Sequence, residues 1–427
     1  MTAALPGCGS RTPVTEIDVS SSGVELRDAP EISVAWGMWR GPSGQGVVSS
    51  VDVPLNWSES ESIGWRADVP GRGHGSPIVT DQLVLLPTAI DAQEQQVVVA
   101  YDRATGKQRW STTVHEGGFP SKRETHNKGS NANSTLACDG QHVFAAFFNS
   151  GRVFVTALTL DGKIAWQKEI GAFASKFGFA PSPILYRSFV IVAGDNRGGG
   201  YIAALDGQSG EIAWRIARPA INSHSTPVVL NVEGKDQLLI SGCRSVSSYD
   251  PATGEENWST ECTSETTCGT MVSDGTLVFA SGGFPAKQTV CLSGAGDIVW
   301  TNGRKIYEPS MLVVDDCLYA ASDDGILYCW DVESGKEHWK KRLGGQFSSS
   351  PWISNGNICV SDLSGNTYVF KHNSATYDQV AKNKLGSDCY ATPAVVDGSI
   401  FTRIGTRAGG TRSEQIVCIA RTENTAN

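Results

Sequence analysis

The chain has 427 residues, of which 40% are hydrophobic and 19% charged, with 47 Gly, 12 Trp and only 4 Met, and a formal net charge of −9. The mild acidity and the lack of Lys/Arg runs argue against nucleic acid as a partner, and no stretch reaches the roughly 18 apolar residues of a membrane-spanning helix. Abundant Gly and Trp with little Met favour many short strands over long helices.

In chain order, Leu5-Pro6-Gly7-Cys8 matches the end of a bacterial lipoprotein signal, with Cys8 as the lipidated residue. Such a signal needs an apolar stretch of about 7–15 residues ahead of the cysteine. The match therefore requires a start upstream of Met1; otherwise Cys8 is an isolated cysteine on a frayed terminus. Residues 1–34, rich in Ser, Thr, Asp and Glu from residue 9 on, read as an export and tether segment. Trp36-Gly37-Met38-Trp39-Arg40-Gly41-Pro42 then opens the ordered domain, expected over residues 35–420, and 421–427 form a tail.

From Trp65 onward one pattern recurs: apolar-Asp, a short turn ending in Gly, then an alternation reaching Trp. Tyr101-Asp102 to Gly106 and Trp110, Leu160-Asp161-Gly162 to Trp166, and Leu205-Asp206 to Gly210 and Trp214 show it well. Weaker or equal copies reach Trp258, Trp300 and Trp339, and a degenerate one lies near Tyr368. The series Trp65, Trp110, Trp166, Trp214, Trp258, Trp300 and Trp339 advances by 39 to 56 residues, the period of a propeller blade. Regular phasing identifies these indoles as packing between blades rather than as ligand platforms.

Each period also holds a Ser/Thr-Pro-like lead into two apolar runs split by a tight turn, as in Thr392-Pro393-Ala394 with Asp397-Gly398. Asp-Gly and Asn-Gly favour hairpins because type I′ turns need positive φ. Leads near residues 76, 134, 182, 226, 270, 310, 350 and 392 give eight units, each an antiparallel four-stranded meander. The last unit ends at Cys418-Ile419 without a Trp strand, whereas the strand around Trp65 has no unit before it. The N-terminal strand is therefore expected to complete the last blade and close the ring. Aligning Pro351 with Pro393 places Ala381 where Trp339 stands one unit earlier, so one blade has lost its Trp.

These units resemble the repeat of the pyrroloquinoline-quinone (PQQ) type propellers, the family that includes quinoprotein dehydrogenases and outer-membrane assembly lipoproteins of the BamB type. The resemblance covers about residues 57–420 and implies an all-β, eight-bladed propeller. The enzymes of that group hold PQQ with calcium, typically beneath a disulfide of adjacent cysteines, and this chain has no Cys-Cys pair. The sequence also lacks a nucleophile elbow, a zinc-protease motif and a P-loop. Asp195-Asn196-Arg197-Gly198 and Asp323-Asp324-Gly325 read as β-turns, not calcium loops. No C-x-x-C pair supports metal binding, and only Cys262 and Cys268 look like a local disulfide.

The resemblance to the assembly lipoproteins implies a non-catalytic, extracytoplasmic binding or scaffold module: periplasmic or outer-membrane-associated, monomeric, with an envelope protein as partner and no cofactor. The alternative is a PQQ- and calcium-dependent oxidoreductase. Binding is expected on the face where loops lead from each Trp strand to the next inner strand, because the 115–133 loop spends residues the fold does not need. The candidates are Arg123, Glu124, His126, Lys128, Lys176, Asp195, Asn222 and His224, with Trp352 near the channel; binding through His126 and His224 is expected to vary between about pH 5 and 8. The same loop cluster also reads as a solvated segment held by its own salt bridges.

Overall fold

The computed structural model describes residues 23–31, 34–48 and 51–421, so Cys8 lies outside the described residues. Eight sheets follow one another around an axis. Blades 1 to 7 span residues 78–116, 137–172, 184–218, 228–261, 272–302, 312–342 and 352–384. Blade 8 takes its three inner strands from 394–419 and its outer strand from Ile63–Val69. That outer strand runs antiparallel to Thr411–Ile419, with Trp65 opposite Cys418 and Val69 opposite Glu414, so the ring closes as the orphan strand requires.

The Trp of each outer strand reaches across to the next blade. A Cβ added to Gly106 would lie 2.4 Å from the Trp65 indole, and Gly162, Gly210, Gly254, Gly296 and Gly335 stand in the same relation to Trp110, Trp166, Trp214, Trp258 and Trp300. These glycines also have positive φ, so the turn demands Gly for its backbone and again for the indole that covers it. Apart from Trp214, whose Nε1 has no partner, the indole N–H groups donate to carbonyls of that next turn, as Trp65 does to Arg103 O at 2.9 Å and Trp300 to Val332 O at 2.8 Å.

Blade 7 breaks the series for a local reason. Ala381 occupies the Trp position, opposite Val369 as Trp339 is opposite Cys329. Blade 8 has no turn between its third and outer strands, because the chain leaves at Ile419 and returns from Ser62, so no glycine exists for an indole to cover. Trp57 instead shares the buried cluster with Ala381, and its backbone N–H donates to Asn383 Oδ1 at 3.1 Å.

A second ring of contacts runs inside the first. At the heads of seven of the eight inner strands the Ser or Thr hydroxyl accepts a backbone N–H from its counterpart one blade earlier: Ser76 donates to Thr135, Thr135 to Ser182, Ser182 to Thr226, Thr270 to Ser310, Ser310 to Ser350, Ser350 to Thr392 and Thr392 to Ser76, all at 2.9 to 3.0 Å. The remaining hydroxyl oxygen, Thr270 Oγ1, accepts from the Trp39 indole at 2.9 Å.

Trp39 arrives there because residues 34–48 run through the channel. Trp36 exchanges backbone hydrogen bonds with Val79 of blade 1, Gly37 O accepts from Cys138 of blade 2, and Val47–Val48 add a parallel strand to blade 7. The Arg40 guanidinium is buried on the axis, donating to Met311 O at 2.7 Å and Gln45 O at 2.8 Å, and burial pulls its pKa to about 9. The tether reading of 1–34 also stops short of the structure. Ser188 N donates to Arg27 O, the Arg27 guanidinium pairs with Asp206, and Val24 and Leu26 lie against the core of blades 3 and 4.

Candidate functional site

The loops from each outer strand to the next inner strand converge on a cavity of about 300 Å³ at one end of the axis. All eight contribute, and they do so at one repeat position. Two residues ahead of each head-of-strand Ser or Thr stand His74, Asn133, Ala180, His224, Cys268, Glu308, Ser348 and Tyr390, and every one lines the cavity. Below them Trp39 and the hydroxyls of Ser76, Thr135, Ser182, Thr226 and Thr270 form the lining toward the channel, and above them His126, Lys128, Phe177 and Tyr307 complete the wall.

Aromatic contacts dominate the wall. The His74 and Tyr390 rings stack with centroids 4.1 Å apart and planes within 5°. Phe177 meets His224 edge-on at 6.0 Å and lies 6.1 Å from His126. Burial and the neighbouring Arg72, Arg403 and Arg412 hold the His74 pKa well below the ordinary imidazole value. Burial pulls His224 to about 4, with His126 adding and Asp195 opposing. Both imidazoles are therefore neutral near pH 7, and neither Nε2 has a hydrogen-bond partner. Lys128 Nζ spans the mouth to Glu308 Oε1 at 3.2 Å, and the other Glu308 oxygen accepts from Ser348 Oγ.

The expected site residues divide. His126, Lys128 and His224 line the cavity. Arg123 and Lys176 are exposed on loops that line it, and Glu124 ties the longest of these loops to itself, accepting from Ser121 N at 2.9 Å, while its carbonyl accepts from Gly178 N. Asp195 and Asn222 are scaffold. Asp195 makes a buried two-point ion pair with Arg218 at 2.7 and 3.0 Å, and Asn222 Oδ1 accepts from Arg197 N. Trp352 is 1% exposed and packs in the core shared by blades 7, 8 and 1, away from the cavity; it is Trp39 that reaches the axis. The pH expectation for His224 also fails, since its pKa of about 4 lies below the range of pH 5 to 8.

Cys262 and Cys268 are free thiols, Cys262 donating to Thr260 O and Cys268 lining the cavity. Away from the site, Asp316, Cys317 and His338 bring potential ligand atoms within 4.8 Å of one another. This grouping joins a turn to an outer strand and has no sequence motif. The ring two residues before each Ser/Thr was also missed. Its signal is present in the sequence, but only once the repeats are aligned on the Ser/Thr rather than on Trp.

A planar tricarboxylate such as PQQ needs several cations or N–H donors, and its calcium needs carboxylates. Among the described lining residues the lysine is already paired with the carboxylate, and His74 and His224 are neutral. These residues do not fit that cofactor.

A family model described as outer membrane protein assembly factor BamB matches residues 27–176, 94–294 and 286–380. The chain is 25% identical over 258 residues to the outer membrane protein assembly factor BamB of Yersinia pestis, a match covering 59% of this chain and 54% of that protein, about half the relative's length. Among solved structures, BamB from Moraxella catarrhalis has a TM-score of 0.59 at 14% identity, covering 86% of this chain and 98% of that one. Quinohemoprotein alcohol dehydrogenase from Comamonas testosteroni has a TM-score of 0.64 at 13% identity, covering 87% and 79%. At such identities these structures share the fold alone.

Proposed function

The chain belongs to the family described as outer membrane protein assembly factor BamB, and from that membership we propose that it is a non-catalytic, extracytoplasmic scaffold whose cavity-bearing loop face binds an envelope protein. The observation that carries this reading is the asymmetry of the two faces. Turns such as Asp102–Gly106 are committed to covering and being covered by Trp residues, leaving little surface to encode recognition. The opposite loops put exposed Lys122, Arg123, Lys176 and Phe177 around a cavity that the fold does not need. Association with the outer membrane, with or without lipid on Cys8, belongs to the same proposal. Among the described residues no helix is long and apolar enough to cross a membrane.

The enzymatic alternative needs a group that activates substrate. The neutral histidines, the half-buried thiol Cys268, pushed up to about 12 by desolvation, and the paired Glu308 offer binding surface rather than a poised acid, base or nucleophile. The test is cross-linked capture from envelope extracts, comparing Arg123→Ala/His126→Ala/Lys128→Ala with Lys107→Ala/Arg109→Ala/Lys163→Ala on the turn face. Loss of the captured protein with the first triple alone is expected. Loss with the second alone, both variants remaining folded, overturns the reading.

A further inference from the structure

We infer that the axial cavity is an anchor pocket for a single flat ring with a polar tip, a tyrosine or tryptophan side chain, presented by an acidic segment of the protein partner. This rests on the scaffold reading and specifies its chemistry. At about 300 Å³ the cavity stands at the lower end of small-ligand sites, room for a ring and the backbone that carries it. Its walls suit a planar occupant: the stacked His74–Tyr390 pair offers a flat side, and Trp39, Phe177 and Tyr307 supply further faces and edges.

The polar tip follows from His224. This residue is 9% exposed, lines the cavity, and its Nε2 has no hydrogen-bond partner. That nitrogen has almost no accessible surface in this rotamer, so an occupant reaches it only by a turn of the imidazole toward the cavity. A buried polar atom left unpaired costs about 1–3 kcal/mol, and an occupant that draws the ring round gains by pairing it. A neutral imidazole nitrogen accepts from, or donates to, a phenol hydroxyl, and accepts from an indole N–H.

The acidic flanks follow from charge around the mouth. Lys128 is bound to Glu308. Lys122, Arg123 and Lys176, on the two loops beside it, are exposed, and none is in an ion pair among the described residues. In a chain of net charge −9 this local cationic excess complements an acidic partner. Phe177, 42% exposed at the rim, adds apolar contact beside the charges. A buried aromatic anchor inside a polar, charged rim is the anatomy of interface hot spots.

The experiment uses the full chain and the fluorescein-labelled peptide Asp-Glu-Gly-Tyr-Gly-Glu-Asp, followed by fluorescence anisotropy. Replacing the peptide's Tyr by Ala, or its acids by Asn and Gln, is each expected to weaken binding about tenfold, the effect of about 1.4 kcal/mol. Ala180→Phe, which fills the cavity from the wall, should weaken it as much with the thermal midpoint unchanged; Ser348→Phe serves if that variant does not fold. His224→Leu should erase the difference between the Tyr peptide and its Phe analogue. Equal binding of the Tyr and Ala peptides overturns the anchor, leaving charge alone. N-acetyltyrosinamide binding as tightly as the peptide overturns the partner segment in favour of a free small aromatic. Absence of binding by every peptide overturns the inference, and if envelope capture still depends on Arg123, His126 and Lys128, the scaffold reading stands without it.

Discussion

At the scale of single residues the fold rests on paired demands. Trp258 covers Gly296, whose φ is +90° and whose added Cβ would lie 2.6 Å from the indole, and its N–H reaches Gly294 O at 2.9 Å. Trp258→Ala removes that cover and one of the two donors to Gly294 O, the other being Gln237 Nε2 at 3.0 Å, so a loss of about 3–5 kcal/mol is expected from urea unfolding, most of it from the lost aromatic packing. The converse change, Ala381→Trp, restores the repeat's usual residue and still destabilises, by about 1–3 kcal/mol, because blade 8 has no turn to receive the ring. A stability gain in Ala381→Trp would refute that account. Histidines give a pH dependence of definite sign. His74, His115 and His224 all have pKa values below the ordinary imidazole value, the last two at about 4 through burial. The unfolded chain therefore takes up these protons first as the pH falls below about 6.5, and each group costs up to about 1.4 kcal/mol per pH unit until its native pKa is reached. Equilibrium urea unfolding from pH 7.5 to 4.5 should show stability level above pH 6.5 and declining below it. His224→Gln should make that decline shallower.

At the scale of elements, legibility follows the repeat. The blades, the lost Trp and the closing strand were readable because Trp, Gly and Ser/Thr recur in register along the chain. Residues 36–48 occur once and acquire their role only from partners far away in sequence, Gly37 with Cys138 and Arg40 with Met311. Nothing periodic marks them, and their passage through the channel was not foreseen. Trp352 misled for a related reason: its place on an inner strand was right, but a strand alternates its side chains, and this one turns between sheets rather than to the axis. Asp195 looked like a site residue because it stands in a loop and its partner Arg218 lies 23 residues on, at the end of the outer strand of the same blade. The segment reading yields a graded test. Removing residues 1–31 takes away the ion pairs of Arg27 with Asp206 and of Asp28 with Arg187 and the Val24 and Leu26 contacts, an expected loss of about 1–2 kcal/mol. Removing residues 1–48 also takes Trp36 out of the core and Arg40 out of the axis, and should cost several times more. Thermal unfolding of the two truncations decides it: equal midpoints would mean that the axial segment is a passenger.

At the scale of the molecule, closure turns eight similar sheets into one cooperative body. An open array of repeats has only neighbour contacts and two free edges, whereas a ring has neither a first nor a last blade. Here the seam is reinforced beyond the strand pairing of Ile63–Val69. Arg403 of blade 8 is buried, pairs with Glu414, and donates to Pro87 O of blade 1 at 2.6 Å; Arg412 joins Glu414 and Asp388 at 2.7 Å each. Glu414 also accepts from Gly73 N, just after the closing strand, at 3.1 Å. Deleting residues 1–69 therefore exposes the whole edge of Thr411–Ile419 and loosens this charge cluster. The expected product shows no single calorimetric transition and self-associates on size exclusion. The decisive comparison returns the strand by another route. Ala420 N and Ser62 O are 3.0 Å apart, so the two chain directions already meet there. A permuted chain running 70–420, then a copy of the Asp250–Glu255 turn, then 62–69, would give blade 8 the connected outer strand of blades 1 to 7. It should regain a monomer with one transition, at a lower midpoint than the parent because the axial segment is still missing. Its new turn also supplies the glycine that blade 8 lacks, so Ala381→Trp, destabilising in the parent, should become neutral or stabilising in the permuted chain. If that substitution costs the same in both, the missing turn is not the reason blade 7 carries an alanine.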